Sequence, residues 1–143
     1  MSQLDGKLTD KAVDIKQICS DGYEQYDSGE YERALRLFYK AWLMIPSPQT
    51  DYLEAGWVLT AIGDAYFKIG KYEQAINALE SCLHCDGIDG NPFVHMRLGQ
   101  SLTEVGEITR ARKELLKAYK TSGRALFDNE PIKYLSHITD LVG

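Results

Sequence analysis

Residues 59–75 read LTAIGDAYFKIGKYEQA. In this stretch Gly63 and Gly70 lie seven residues apart, and Ala75 follows five residues later. The apolar side chains before Gly70 keep the spacing of a helix face, and a new helical pattern begins directly after it. Glycine suits the left-handed backbone that ends many helices. The stretch therefore predicts two helices joined by a tight turn, with small residues where the helices cross.

The same glycine–glycine–alanine pattern, with steps of seven and then five residues, occurs three times in the chain. The triads are Gly22, Gly29 and Ala34; Gly63, Gly70 and Ala75; and Gly99, Gly106 and Ala111. A pattern that recurs along the chain in this way is typical of a repeat protein, in which each repeat needs its neighbours to bury its apolar face.

These repeats resemble the tetratricopeptide repeat (TPR) family. In the second repeat the family's signature positions carry Ile62, Gly63, Tyr66 and Ala75, and Gly87 stands where a closing proline is usual. The ending LFDNEPIKYL, residues 126–135, also resembles small single-domain bacterial TPR proteins. The resemblance covers most of the chain.

The resemblance implies an all-α fold, an α-solenoid of three TPR helix pairs over residues of about 15–48, 56–87 and 92–123. After Pro131, apolar residues at helical spacing predict a seventh, capping helix over residues of about 131–142. We expect residues 10–143 to form a single TPR domain and residues 1–9 to be a flexible N-terminus.

Composition is that of an ordinary globular chain of 143 residues with a formal net charge of −5. The acidic balance argues against nucleic acid and anionic membranes as partners. No apolar run is long enough to span a membrane, and residues 1–14 are too polar for a signal peptide. Three unevenly spaced cysteines do not form a disulfide framework. We therefore expect a cytoplasmic protein.

In the TPR family the first helices of the pairs line a concave groove. The register places nine candidate partner-binding residues there: Tyr23, Tyr26, Trp57, Asp64, Phe67, Phe93, Met96, Arg97 and Gln100. Aromatic residues, methionine and arginine are enriched in interface cores, so this set predicts a surface for a protein or peptide. The alternative is that some of them pack between helices or under the capping helix.

Some TPR proteins hold a C-terminal carboxylate with lysine and asparagine side chains. At the matching positions this chain carries Cys19, Tyr23, Ala61 and Phe93, and Arg97 alone keeps a polar character. The resemblance therefore favours an apolar or mixed peptide, or a helix laid along the groove.

A second candidate surface is a basic stripe on the last repeat's outer helix. It consists of Arg110, Lys113, Lys117, Lys120 and Arg124, at steps of three and four residues. Such a stripe is typical of a solvated helix face, and it also fits an acidic partner.

Catalytic and metal chemistry find little support. Cys82 and Cys85 form a CxxC motif with a histidine inside it, but no second motif completes a zinc site. The motif lies at a helix C-terminus, where the helix dipole raises a thiol pKa. The three histidines are scattered over the chain. We therefore predict no catalytic residue, no metal and no cofactor.

The leading hypothesis is a non-catalytic adaptor that binds one partner protein. An alternative is an inhibitor or immunity protein that blocks a toxin or an enzyme, and a third is a Cys/His metal or redox site. The capping helix favours a monomer, with weak self-association through exposed terminal faces as the alternative.

Overall fold

The computed structural model describes residues 10–88 and 90–142, and within these ranges it contains eight α-helices, two 3₁₀ turns and no strand. The helices are α1 (Asp10–Asp27), α2 (Tyr31–Leu43), α3 (Leu53–Ile69), α4 (Tyr72–Cys82), α5 (Pro92–Glu104), α6 (Ile108–Ser122), α7 (Ile132–Ser136) and α8 (Thr139–Val142). The 3₁₀ turns are Gln49–Asp51 and Arg124–Phe127. The predicted flexible segment, residues 1–9, lies outside the described residues.

The chain divides into two compact units, with the division after residue 89. The first unit contains the helix pairs α1–α2 and α3–α4, and the second contains the pair α5–α6 with α7 and α8. The three predicted pairs are thus present. That residues 10–143 form a single domain stays a prediction.

All three pairs turn in the same way at a glycine. Gly29, Gly70 and Gly106 have φ values of 81°, 88° and 86°. In the middle turn the Gly70 amide donates to the Phe67 carbonyl at 3.0 Å and the Lys71 amide to the Tyr66 carbonyl at 2.9 Å. The other two turns repeat this pair of bonds, which satisfies carbonyls that a helix end leaves without a partner. Positive φ disfavours any residue with a Cβ, which explains the glycine at each turn.

The first glycine of each triad lies where the two helices of its pair cross. A Cβ at Gly63 would be 2.6 Å from Leu79 Cγ, and a Cβ at Gly99 would be 2.7 Å from Leu115 Cγ. At Gly22 a Cβ would overlap the ring of Phe38. Since Leu79, Leu115 and Phe38 are fully buried, they have little room to move aside.

The alanine that closes each triad packs where the second helix meets the first. Ala34 and Ala75 are completely buried, and Ala111 is 1% exposed. A larger side chain at these positions would push the helices apart. The spacing of the triad is therefore explained by packing within each pair.

The C-terminal segment differs in detail from the prediction of one capping helix over residues 131–142. Between α7 and α8 the Ile138 amide donates to the Leu135 carbonyl at 3.0 Å, so the backbone tightens into a turn. The Ser136 hydroxyl donates to the Lys133 carbonyl at 2.7 Å, which offers the backbone an alternative to the helix. The break points Ile138 into the core, where it is fully buried.

The segment nevertheless covers the third pair. Its buried side chains Leu135 and Ile138, together with Phe127 of the preceding 3₁₀ turn, form one apolar cluster with Met96 of α5 and Leu115 of α6. Covering the apolar side of a terminal helix pair is what a repeat protein requires of its last element.

A double-mutant cycle tests the crossing at Gly63. We expect Gly63→Ala to lower the free energy of unfolding by about 1–3 kcal/mol, because the added methyl overlaps Leu79. Leu79→Ala should cost about 2–5 kcal/mol by opening a cavity. The double variant should lose less than the sum of the two, since shortening Leu79 removes the overlap. Urea unfolding of the four proteins measures the coupling.

Gly70 provides the matched control for this cycle. A Cβ there would meet nothing within 4 Å, and the penalty arises only from its φ of 88°. Gly70→Ala and Leu79→Ala should therefore be additive. Additivity in the Gly63 cycle as well would contradict a steric role for that glycine.

Candidate functional site

The first unit presents a face shared by α1 and α3, the first helices of its two pairs. The Lys16 ammonium of α1 lies 5.3 Å from the ring centroid of Trp57 in α3. Further along both helices, the Tyr26 hydroxyl donates to Asp64 Oδ1 at 2.8 Å. The order of these contacts shows that the two helices run in the same direction. We call the face formed by Lys16, Tyr23, Tyr26, Trp57, Asp64 and Phe67 the α1–α3 face.

Trp57 is the most accessible aromatic residue of this face, with 41% of its surface exposed. Leu53 lies one turn before Trp57 on α3 and is 46% exposed, and Val13 lies one turn before Lys16 on α1 and is 69% exposed. Large apolar side chains are therefore open to solvent where α1 and α3 begin. Apolar side chains exposed on both helices make this end of the face a candidate interaction site.

The remaining aromatic residues of the face are half-buried, because each ring also packs within the unit. The ring centroid of Tyr23 lies 4.9 Å from that of Phe38 and 5.4 Å from that of Tyr26. The ring centroids of Phe67 and Tyr72 lie 5.6 Å apart. This ring packing stabilises the helix pairs. Asp64 is only 3% exposed and serves as the acceptor for Tyr26.

Register alone did not identify Lys16 or the exposed apolar pair Val13 and Leu53. All three lie at helical steps from predicted face residues, so extending the pattern by one turn toward the helix starts finds them. Lys68, 6.0 Å from the Tyr26 ring, provides a second cation near the other end of the face.

The second unit places the other four predicted residues differently. Met96 is 1% exposed in the apolar cluster, and Arg97 and Gln100 are 3% and 0% exposed. The expectation that these three contact a partner is therefore revised, because their side chains are enclosed. Phe93 is half-buried and packs against the same cluster, with the Arg97 guanidinium carbon 4.9 Å from its ring centroid.

A polar network explains how Arg97 and Gln100 are buried. Arg97 Nη1 donates to Gln100 Oε1 at 2.7 Å and to Glu130 Oε1 at 3.0 Å, and Gln100 Nε2 donates to the same Glu130 oxygen at 2.8 Å. Glu130 lies just before α7, so the C-terminal segment covers this side of α5. Sequence periodicity missed Glu130 because it lies outside the repeats.

The cysteines are unsuited to thiolate chemistry. Burial raises the pKa of Cys82 to about 11, against a smaller lowering by its hydrogen bond with Thr60. Burial also raises the pKa of Cys85, and Asp86 raises it further. Both thiols are free and stay protonated at neutral pH, whereas reactive and metal-binding cysteines need a lowered pKa. Within residues 10–88 and 90–142, no group of three or more potential metal ligands comes together.

Four residues of the basic stripe, Arg110, Lys113, Lys117 and Lys120, lie on α6 and are exposed, whereas Arg124 lies beyond the helix in the 3₁₀ turn. Arg110 lies 3.7 Å from Glu107 and Lys117 lies 3.8 Å from Glu114. Ion pairs of this kind on one helix are weak. That the stripe binds an acidic partner stays a prediction.

None of the described helices combines the length and the apolar character needed to cross a membrane.

Comparison with known proteins identifies the middle helix pair. Residues 58–84, which span most of α3 and α4, match the family model described as Tetratricopeptide repeat. The chain therefore contains a tetratricopeptide repeat at these residues. The family predicted from the glycine–alanine triads is thereby confirmed.

Solved TPR structures resemble the whole fold. The type III secretion chaperone SycD of Yersinia enterocolitica, in complex with a peptide of the translocator YopD, is 22% identical, with a TM-score of 0.64 over 86% of this chain and 88% of that one. The first TPR domain of human RPAP3 is 15% identical, with a TM-score of 0.69 over 88% and 93%. Its second TPR domain, in complex with the HSP70 peptide SGPTIEEVD, is 18% identical, with a TM-score of 0.63 over 91% and 93%.

At these identities the likeness shows the fold alone, and it confirms the predicted all-α solenoid of TPR helix pairs. No curated protein matches the chain in sequence.

The network around Glu130 yields a stability prediction. We expect Glu130→Ala to lower the free energy of unfolding by roughly 2–3 kcal/mol, because the buried Arg97 and Gln100 side chains lose their shared acceptor. Asp140→Ala is the matched control, since it removes a carboxylate that pairs with Arg112 at 2.8 Å in an exposed position. Exposed pairs contribute little, so this variant should unfold close to the wild type in urea. Equal losses for the two variants would contradict the structural role of Glu130.

Proposed function

We propose that this TPR protein is a non-catalytic interaction module whose α1–α3 face binds a segment of a partner protein. The observation that carries the proposal is the exposed indole of Trp57, which lies beneath the Lys16 ammonium and one turn from exposed Leu53. An exposed tryptophan with a neighbouring cation and apolar rim is the composition of an interface hot spot.

The chemistry of the face favours a mixed segment. Trp57 and Leu53 offer apolar surface for an anchor side chain, and Lys16 and Lys68 offer positive charge toward either end of the face. An apolar residue with carboxylates on both sides would satisfy both features. The proposed partner-binding residues are therefore Tyr23, Tyr26, Trp57 and Phe67, with Lys16 added.

Two similar structures support a peptide-binding function, because each was solved with a bound peptide. SycD was solved with a YopD peptide and the second RPAP3 domain with an HSP70 peptide. The alternative, an inhibitor or immunity protein, would use the same face and differ in the identity of the partner. Cytoplasmic location and a monomeric state stay predictions.

Quantitative affinity capture from a lysate of the source organism tests the proposal. Wild-type protein is compared with Trp57→Ala and with Ile132→Ala, a control that removes another exposed apolar side chain, 70% exposed in α7. We expect wild type and control to retain the same partner, and Trp57→Ala to bind the purified partner at least roughly thirtyfold more weakly, as loss of a hot-spot tryptophan does.

Circular dichroism of each variant verifies that the helices are intact. Because Trp57 is exposed, its removal should leave stability within about 0.5–1 kcal/mol of the wild type. Capture of the same partner at unchanged affinity by Trp57→Ala would overturn the assignment of the α1–α3 face. The identity of the captured protein separates an adaptor from an inhibitor of a toxin or enzyme.

A further inference from the structure

A cavity of about 310 Å³ opens on the first unit among α2, α3 and α4. We call it the α2–α4 pocket, and its lining residues are Tyr39, Trp42, Leu59, Ile62, Tyr66, Gln74, Asn77, Ala78 and Ser81. Its volume is at the lower end of the range of about 300–1,000 Å³ for ligand sites, enough for a few residues of an extended chain.

The pocket lies on the opposite side of α3 from the α1–α3 face. Leu59, Ile62 and Tyr66 line the pocket, whereas Trp57 and Asp64 belong to the other face. At 100° per residue, these two sets point in nearly opposite directions from the helix axis. A ligand here would therefore leave the α1–α3 face free, and the pocket is independent of the function proposed above.

The aromatic wall is held in place by a hydrogen bond. The hydroxyl groups of Tyr39 and Tyr66 lie 2.9 Å apart, and their rings meet edge to face with centroids 6.2 Å apart. Trp42 follows Tyr39 by one helical turn and is half-buried. Flat aromatic surfaces are thus fixed in position on one side of the pocket.

The opposite wall is polar but uncharged. On α4 the exposed side chains of Gln74, Asn77 and Ser81 form the rim, and Ala78 leaves the space between them open. No side chain in the lining carries a charge at neutral pH. A phosphate or a strongly charged segment would lose its hydration here without gaining an opposite charge, so the pocket favours a neutral ligand.

The helical walls also restrict what kind of chain can bind. Backbone carbonyls inside a helix are already bonded within the helix, so an incoming segment meets side-chain groups only. Each peptide N–H buried in the pocket needs an acceptor, and the lining offers only the side-chain oxygens of Gln74, Asn77, Ser81 and the two tyrosines; an unsatisfied N–H costs about 1–3 kcal/mol. Proline has no N–H, whereas its carbonyl can accept from the hydroxyl and amide groups of the rim.

We propose that the α2–α4 pocket binds a proline-rich segment of a partner protein in the polyproline II conformation. The proline rings pack against Tyr39, Trp42 and Tyr66, and the segment's carbonyls accept hydrogen bonds from Gln74, Asn77 and Ser81. Aromatic grooves with neutral donors recognise such segments in other folds, because the stiff polyproline II chain loses little entropy on binding.

Tryptophan fluorescence tests the proposal directly, since the chain contains only Trp42 and Trp57. Trp57→Phe leaves Trp42, in the pocket, as the single tryptophan. We expect a decaproline peptide to change the fluorescence of this variant saturably, and an uncharged glycine–serine peptide of equal length to leave it unchanged. An apolar helical peptide that binds more tightly than decaproline would overturn the proposal.

Filling the pocket provides the matched comparison. Adding Ala78→Leu to the Trp57→Phe background places a larger side chain in the cavity, and the dissociation constant for decaproline should rise at least roughly tenfold. Ala125→Leu makes the same change at an exposed position outside the pocket and should leave binding unchanged. Equal decaproline affinity in the two leucine variants, both folded by circular dichroism, would refute the pocket as the site.

Discussion

The close approach of two helices at a glycine is the constraint on which the rest of this structure depends. At Gly63 the missing side chain lets Leu79 of the second helix lie directly against the backbone of the first. The two helices of a pair can then pack closely, and the glycine turn at Gly70 returns the chain at the required position. Because this geometry occurs three times, the chain reproduces one local solution instead of building one large core.

The repeats could be predicted because their constraints are local. A positive φ at Gly29 and a buried Ala34 both follow from the packing of one helix pair, so spacing in the sequence records them. The burial of Met96 and Arg97 could not be predicted in this way, since it depends on a covering segment that belongs to no repeat. The same segment shows why periodicity predicted one capping helix, since α7 and α8 share an apolar pattern although the backbone tightens into a turn at Ile138.

The two sides of α3 differ in their chemistry. One side exposes Trp57 beside a lysine, and the other closes an uncharged aromatic pocket with Tyr66. A helix in a two-layer pair has enough surface to pack on its partner helix and still present two chemically different faces. Buried thiols with raised pKa values, such as that of Cys82, fit a scaffold whose cysteines serve packing.

The most direct measurement of the central claim is a nuclear Overhauser effect spectrum of the folded protein. The account predicts cross-peaks from the α-protons of Gly63 and Gly99 to the methyl groups of Leu79 and Leu115, and from the α-protons of Gly22 to the ring of Phe38. Contacts of this kind require the helix backbones to meet at the glycines. A spectrum in which these α-protons show no cross-peak to the second helix of their own pair would contradict the account.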